Sequence, residues 1–242
     1  MTDETGYGEF CRAGQLGCRA AGSREVAVSF PIKDVSKRWG RPTMSVAVPV
    51  ERFEQYAGQV PDFLLDLWRG FGFAGFRKGL LWLCDPVQWQ PTVDAWTSDL
   101  DLPFGEDTWV AVSRSAFGRL SLWGRRTGLS LTITPHYGQI FPVDNSENMS
   151  DPFSRDVQIL ANLEAAAIMK TLDEDADDDK PLFKRVLKRL GPVGPTTMYG
   201  FVPALALGGP MLPNHVEIVD AAVHMEILRQ VTPRTLMLNP YR

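Results

Sequence analysis

The chain has little of what most enzymes and metal proteins are built on. Three histidines and three cysteines among 242 residues leave few candidates for a nucleophile, a general base or a metal ligand. Cys11, Cys18 and Cys84 are odd in number and lack C-x-x-C spacing, which argues against a disulfide framework or a zinc site. H-E-x-x-H, G-x-x-x-x-G-K and G-x-S-x-G are missing, and Gly70, Gly72 and Gly75 do not read as a phosphate cradle. No apolar run approaches the roughly 18 residues of a membrane span, and the first thirty residues lack the apolar core of a secretory signal. The formal charge of -4 lacks the basic excess of a nucleic-acid binder. These absences lead us to expect a cytoplasmic protein that is not an enzyme, with no cofactor, no metal, no membrane and no direct nucleic-acid contact.

What is present is apolar substance. Hydrophobic residues make up 44% of the chain, enough for one large core or two smaller ones. The most apolar stretch is Tyr199-Gly200-Phe201-Val202-Pro203-Ala204-Leu205-Ala206-Leu207-Gly208-Gly209. Bounded by glycine, it reads as a buried strand or extended segment, without chemistry of its own. The amphipathic pattern over residues 214–231 reads as one long helix lying across it. Residues 1–29 lack periodicity and read as a flexible tail, with Cys11 and Cys18 as solvated thiols.

The first half, residues 30–145, predicts helices followed by strands. A short helical turn covers residues 50–56, and Pro61 opens a helix with Leu64, Leu65, Trp68 and Phe71 on one face. Residues 75–79 read as a turn and residues 80–84 as a short buried strand. Asp85-Pro86 is a cap with proline at the first helical position, and Trp89, Val93 and Trp96 form the inner face of the next helix. Alternation then predicts strands over 108–114, 119–124 and 129–134, the last with Leu129, Leu131 and Ile133 on one face. Gly128 suits the hairpin between the last two, and residues 139–142 add an edge strand. The fold class predicted is α+β: an antiparallel β-meander with helices packed on one face, in two consecutive halves.

The second half, residues 146–242, predicts a helix over 151–172 with Val157, Leu160, Leu163, Ala167 and Ile168 as its stripe. A second helix over 181–190 carries Lys184, Arg185, Lys188 and Arg189 outward and stops at Gly191-Pro192. Between them lies the densest charge in the chain: Asp173, Glu174, Asp175, Asp177, Asp178 and Asp179. The run is either a solvated loop partly neutralised by the basic helix or an anionic patch for a basic partner.

Other candidates are sparser. Asp220 and His224 stand four apart and could share a helix face as two metal ligands, with His215 nearby but no third ligand visible. A surface or satisfied pair is the plainer reading. His136 reads as a turn residue and Cys84 as a buried inert thiol. Trp68, Trp82 and Trp123 are core residues or, alternatively, the lining of a small-ligand cleft.

Several motifs carry a resemblance. Residues 60–68, Gly79-Leu80-Leu81-Trp82, Asp85-Pro86 and residues 116–124 resemble the bacterial GAD-like domain. Lys180-Pro181-Leu182-Phe183, Leu190-Gly191-Pro192, the 199–209 run and residues 224–228 resemble the C-terminal domain that accompanies it in Tdi-type immunity proteins of type VI secretion systems. The resemblance implies a cytoplasmic protein that binds a co-encoded toxin, a DNase, and neutralises it. It brings no catalytic residue. The acidic residues 173–179 are the expected toxin-binding surface. A small-ligand regulatory module and a metal-dependent enzyme are the alternatives.

Overall fold

The computed structural model describes residues 32–168 and 171–238, so the expectations for residues 1–29, Cys11 and Cys18 included, lie outside it. Local signals set the helix starts. Helix α1 (Ile32–Trp39), strand β1 (Met44–Val46) and α2 (Val50–Tyr56) lead to α3 (Asp62–Phe71). There Phe63, Leu64, Leu65, Leu67 and Trp68 are buried, and Gly72 ends the helix at φ 74. Each such side chain contributes about 1.5–3 kcal/mol on leaving water. Helix α4 (Pro86–Thr97) begins as predicted: the Asp85 carboxylate accepts from the Val87 amide, and Pro86 occupies the first turn, where no N–H is needed.

Strands β2 (Phe73–Phe76), β3 (Leu81–Leu83), β4 (Trp109–Ser115), β5 (Leu120–Gly124), β6 (Gly128–Thr134) and β7 (Gln139–Pro142) follow one another. They form an eight-stranded sheet in the order β1-β2-β3-β4-β5-β6-β7-β10, where β10 is Thr235–Leu236. Gly75 thus lies inside a strand, not at the start of a turn. A side chain there would meet the Trp82 ring at 2.6 Å, and the turn is confined to the three residues Arg77–Gly79. β7 is not an edge either, because β10 pairs with it in parallel.

Helices cover both faces of this sheet, not one. Central strands carry apolar side chains on each side: Val112 and Trp123 face the core shared with α3, while Ala111, Leu120 and Leu122 face the core shared with α4. Both faces must be covered to remove them from water. Leu129 does not share a face with Leu131 and Ile133. The β5–β6 register shifts between Leu122/Leu131 and Trp123/Leu129, so Ser130 is an extra residue that turns Leu129 toward the α3 side.

Helix α5 (Pro152–Ile168) packs on α3 through Ile159 and Leu163, with Leu160 and Ala167 against the same core as predicted, whereas Val157 is exposed and Ile159 takes its place in the stripe. Helix α6 (Phe183–Leu190) ends at Gly191, φ 80, as predicted. β8 (Thr197–Phe201) buries Tyr199 and Phe201, but the run then surfaces: Val202 is 41% and Leu207 63% exposed. The predicted helix over 214–231 is two elements. β9 (Val216–Asp220) pairs antiparallel with β8, and α7 (Ala221–Val231) begins only after Asp220, whose carboxylate accepts from the Val223 amide. His215 lies in a turn before β9, and Asp220 and His224 therefore do not share a helix face.

Candidate functional site

The acidic run folds into a tight loop anchored by apolar residues. Ala176 and Leu182 are buried, and the chain closes on itself through Asp179 N→Ala176 O (2.8 Å), Ala176 N→Lys180 O (3.0 Å) and Leu182 N→Glu174 O (2.8 Å). Asp179 takes a positive φ of 56, which aspartate tolerates better than most residues.

Within that loop the carboxylates divide by direction. Asp173 turns inward and accepts from the amides of Glu174 (2.8 Å) and Phe183 (2.7 Å). Glu174 accepts from the Tyr137 hydroxyl at 3.2 Å. Burial pushes its carboxyl up to about 7, while the Tyr137 hydrogen bond and the Arg119 charge pull the other way. Asp177 is stapled to the 208–212 segment, its amide donating to Met211 O and its carboxylate accepting from Met211 N, both at 2.9 Å. Asp178 pairs with Arg185 at 2.7 Å. Asp175 and Asp179 are exposed, and their carboxylates make no hydrogen bond or ion pair among the described residues. The outward tip is thus Asp175, Asp177, Asp178 and Asp179.

Beside this loop lies a groove of about 840 Å³. Its apolar lining comes from Leu80, Ala166, Ala167, Leu172, Phe183 and Leu187, and its rim from Arg77, Lys78, Lys184 and Lys188. Asp173 and Pro181, at the two ends of the acidic loop, also line it. Arg77 is held over the Trp39 ring at 4.6 Å and donates to Arg38 O at 2.8 Å. Lys78, Lys184 and Lys188 are exposed and form no ion pair among the described residues. A second trough of about 510 Å³ shares Arg77 and Ala167 and runs toward α1. Sequence reasoning missed this groove. Its only local signal was the basic face of α6.

The remaining candidates are structural. Trp68, Trp82 and Trp123 are at most 1% exposed, so they are core residues; Trp82 borders a cavity of about 40 Å³. Cys84 is buried and its thiol is pushed up to about 12, which leaves no thiolate at neutral pH. Arg114 is buried too, lying over Trp82 and Trp89 and donating to the carbonyls of Gly194 and Pro195. It ties β4 to the second half. His136 sits in the turn expected for it, buried against Phe201, and burial pushes it down to about 3. Its ring centre is 6.0 Å from that of His224, which packs so closely on Gly200 that an added Cβ would lie 2.7 Å from the imidazole. Among the described residues no group of three or more His, Cys, Asp or Glu side chains is arranged to hold a metal. The letters from Gly70 to Gly75 do fit G-x-G-x-x-G, but they run from the end of α3 into β2. A dinucleotide cradle needs the opposite order, strand before helix.

Comparison with known proteins bears on both halves. Residues 32–137 match the family model of the GAD-like domain, and residues 162–232 match that of the T6SS immunity protein Tdi1, C-terminal. The crystal structure of Atu4351 from Agrobacterium tumefaciens is similar at a TM-score of 0.72 and 22% identity, over 87% of this chain and 95% of that one. At that identity the likeness is one of fold. No curated protein matches the chain. No helix among the described residues is long and apolar enough to cross a membrane.

Proposed function

We propose, from the premise that this chain belongs to the type VI secretion immunity proteins with a GAD-like domain followed by a Tdi1 C-terminal domain, that it silences a cognate toxin by covering that toxin's working surface. The toxin is a DNase encoded beside it, the complex forms in the cytoplasm, and the immunity protein performs no chemistry of its own. The contact is made by residues 173–179, with Asp175, Asp177, Asp178 and Asp179 outermost.

The observation that carries this reading is the tip itself. Two carboxylates, Asp175 and Asp179, project without a partner among the described residues, flanked by the exposed but engaged Asp177 and Asp178, from a loop whose backbone is fixed by its own hydrogen bonds and by buried Ala176. A DNase binds its substrate through cations that meet phosphates. A rigid row of carboxylates can meet the same cations, and its fixed backbone lowers the ordering cost of association.

The test is titration of the purified full chain into a DNA-cleavage reaction run by the toxin. Cleavage ending at a fixed stoichiometric ratio supports the reading. Cleavage that continues at excess immunity protein overturns it. Binding without inhibition would leave the partner standing and remove occlusion as the mechanism.

A further inference from the structure

We infer that the groove between the two domains is a second docking site, and that it takes an amphipathic segment of the same toxin bearing carboxylates on either side of an apolar ridge. This inference rests on the immunity reading and adds a surface and a ligand chemistry to it.

Charge is the first argument. In a chain of net charge -4, the rim gathers four cations, Arg77, Lys78, Lys184 and Lys188. The single carboxylate in the lining, Asp173, is already engaged by two backbone amides. None of the four cations forms an ion pair among the described residues, so carboxylates on a complementary partner would find them unpaired.

Shape and backbone give the second. Half-buried Leu80 and Leu187, with Ala166, Ala167 and Phe183, offer an apolar floor on which a helix or extended segment could rest. Arg77 and Lys78 are consecutive non-glycine residues at φ 48 and φ 61. That conformation costs on the order of 1 kcal/mol per residue, and here it places two cations at the groove's edge. Lys184 and Lys188, one helical turn apart on α6, supply the other pair.

Continuity gives the third. The acidic loop is also a wall of the groove, through Asp173 and Pro181, so a partner resting on the loop reaches the groove without a gap. The rim draws on both matched domains: Arg77 and Lys78 fall within residues 32–137, Lys184 and Lys188 within 162–232. An occupant would clasp the two domains together. A lone fatty acid or nucleotide would use part of the rim and ignore the loop, which is why a protein segment is favoured.

The experiment uses the full chain and the cognate toxin inactivated at its catalytic site. Lys184→Glu/Lys188→Glu is compared with wild type by calorimetry at low and high salt, after equal melting temperatures establish that both are folded. Loss of affinity by about tenfold or more at low salt, shrinking at high salt, is expected from reversing two rim charges. A photo-cross-linker at Leu187 should capture a toxin peptide with apolar residues flanked by Asp or Glu. If wild type binds the toxin and the double variant binds equally well, the groove inference fails while the immunity reading survives. A cross-link to a basic segment has the same consequence. If the wild type does not bind the toxin, both fall together. Should the double variant melt early, Lys78→Glu on the other wall gives the same reading independently.

Discussion

The loop at residues 173–179 and the groove face of α6 are neighbours, and both are dense in charge. In the loop, most of the charge is bonded into the fold: Asp173 holds two amides, Glu174 a tyrosine, Asp177 a methionine backbone and Asp178 an arginine. Along the groove, none of the four rim cations has an ionic partner among the described residues, and Arg77 alone is held, by the Arg38 carbonyl and the Trp39 ring. Net charge thus says less about binding than which charges a fold leaves unengaged. The acidic run is conspicuous in sequence and half structural in space. The basic face is modest in sequence and open in space.

Removing the loop's apolar anchor breaks that contrast most severely. Leu182→Ala creates a cavity under a fully buried side chain and should cost about 2–5 kcal/mol, read as a lowered denaturation midpoint. Next, Asp173→Ala leaves the amides of Glu174 and Phe183 without their acceptor and should cost about 1–3 kcal/mol, with α6 loosening first in hydrogen exchange. No loss in that variant would mean the inward carboxylates are not structural.

A smaller effect is set by pH. Glu174 has a folded pKa of about 7, above an ordinary glutamate near ~4.3. Its protonated form is therefore favoured by the fold, and the stability this gives is present in full below about pH 4 and is lost as pH rises through about 7. Glu174→Gln stays neutral, so its melting advantage over wild type should grow between pH 5 and pH 8. A constant difference would refute the assignment. His136 acts oppositely, being held neutral down to about 3, and is common to both proteins, so it cancels in the comparison.

The smallest effect on stability belongs to the exposed tip. Asp175→Asn/Asp179→Asn, which keeps a residue suited to the positive φ at 179, should change folding free energy by no more than about 0.5 kcal/mol while weakening toxin binding and reducing its salt dependence. Unchanged affinity would remove the tip from the interface and leave the groove as the more important of the two.

Much of this architecture was legible in the sequence, and the failures have physical causes. Asp85-Pro86 and the alternation in β4 to β6 are local signals, and they gave the cap, the hairpin and the meander. β2 was hidden because Gly75, required by the Trp82 ring, looks like a turn residue. β9 was hidden because Val216–Asp220 passes without a break into the pattern of α7. The extra residue Ser130 could not be seen because a register shift belongs to a pair of strands. The groove was illegible for the same reason on a larger scale: Arg77 and Lys184 meet only once the chain is folded.

The short parallel strand β10 bears on how this protein can be divided. It hydrogen-bonds to β7, and both strands lie outside the two matched regions, which end at residues 137 and 232. Chimeras cut at those limits would sever a seam that neither region contains, baring the carbonyls of Gly138 and Ile140 to pair with another molecule. Exchanging recognition surfaces between relatives should therefore carry the tail through Leu236 along with the first half's sheet.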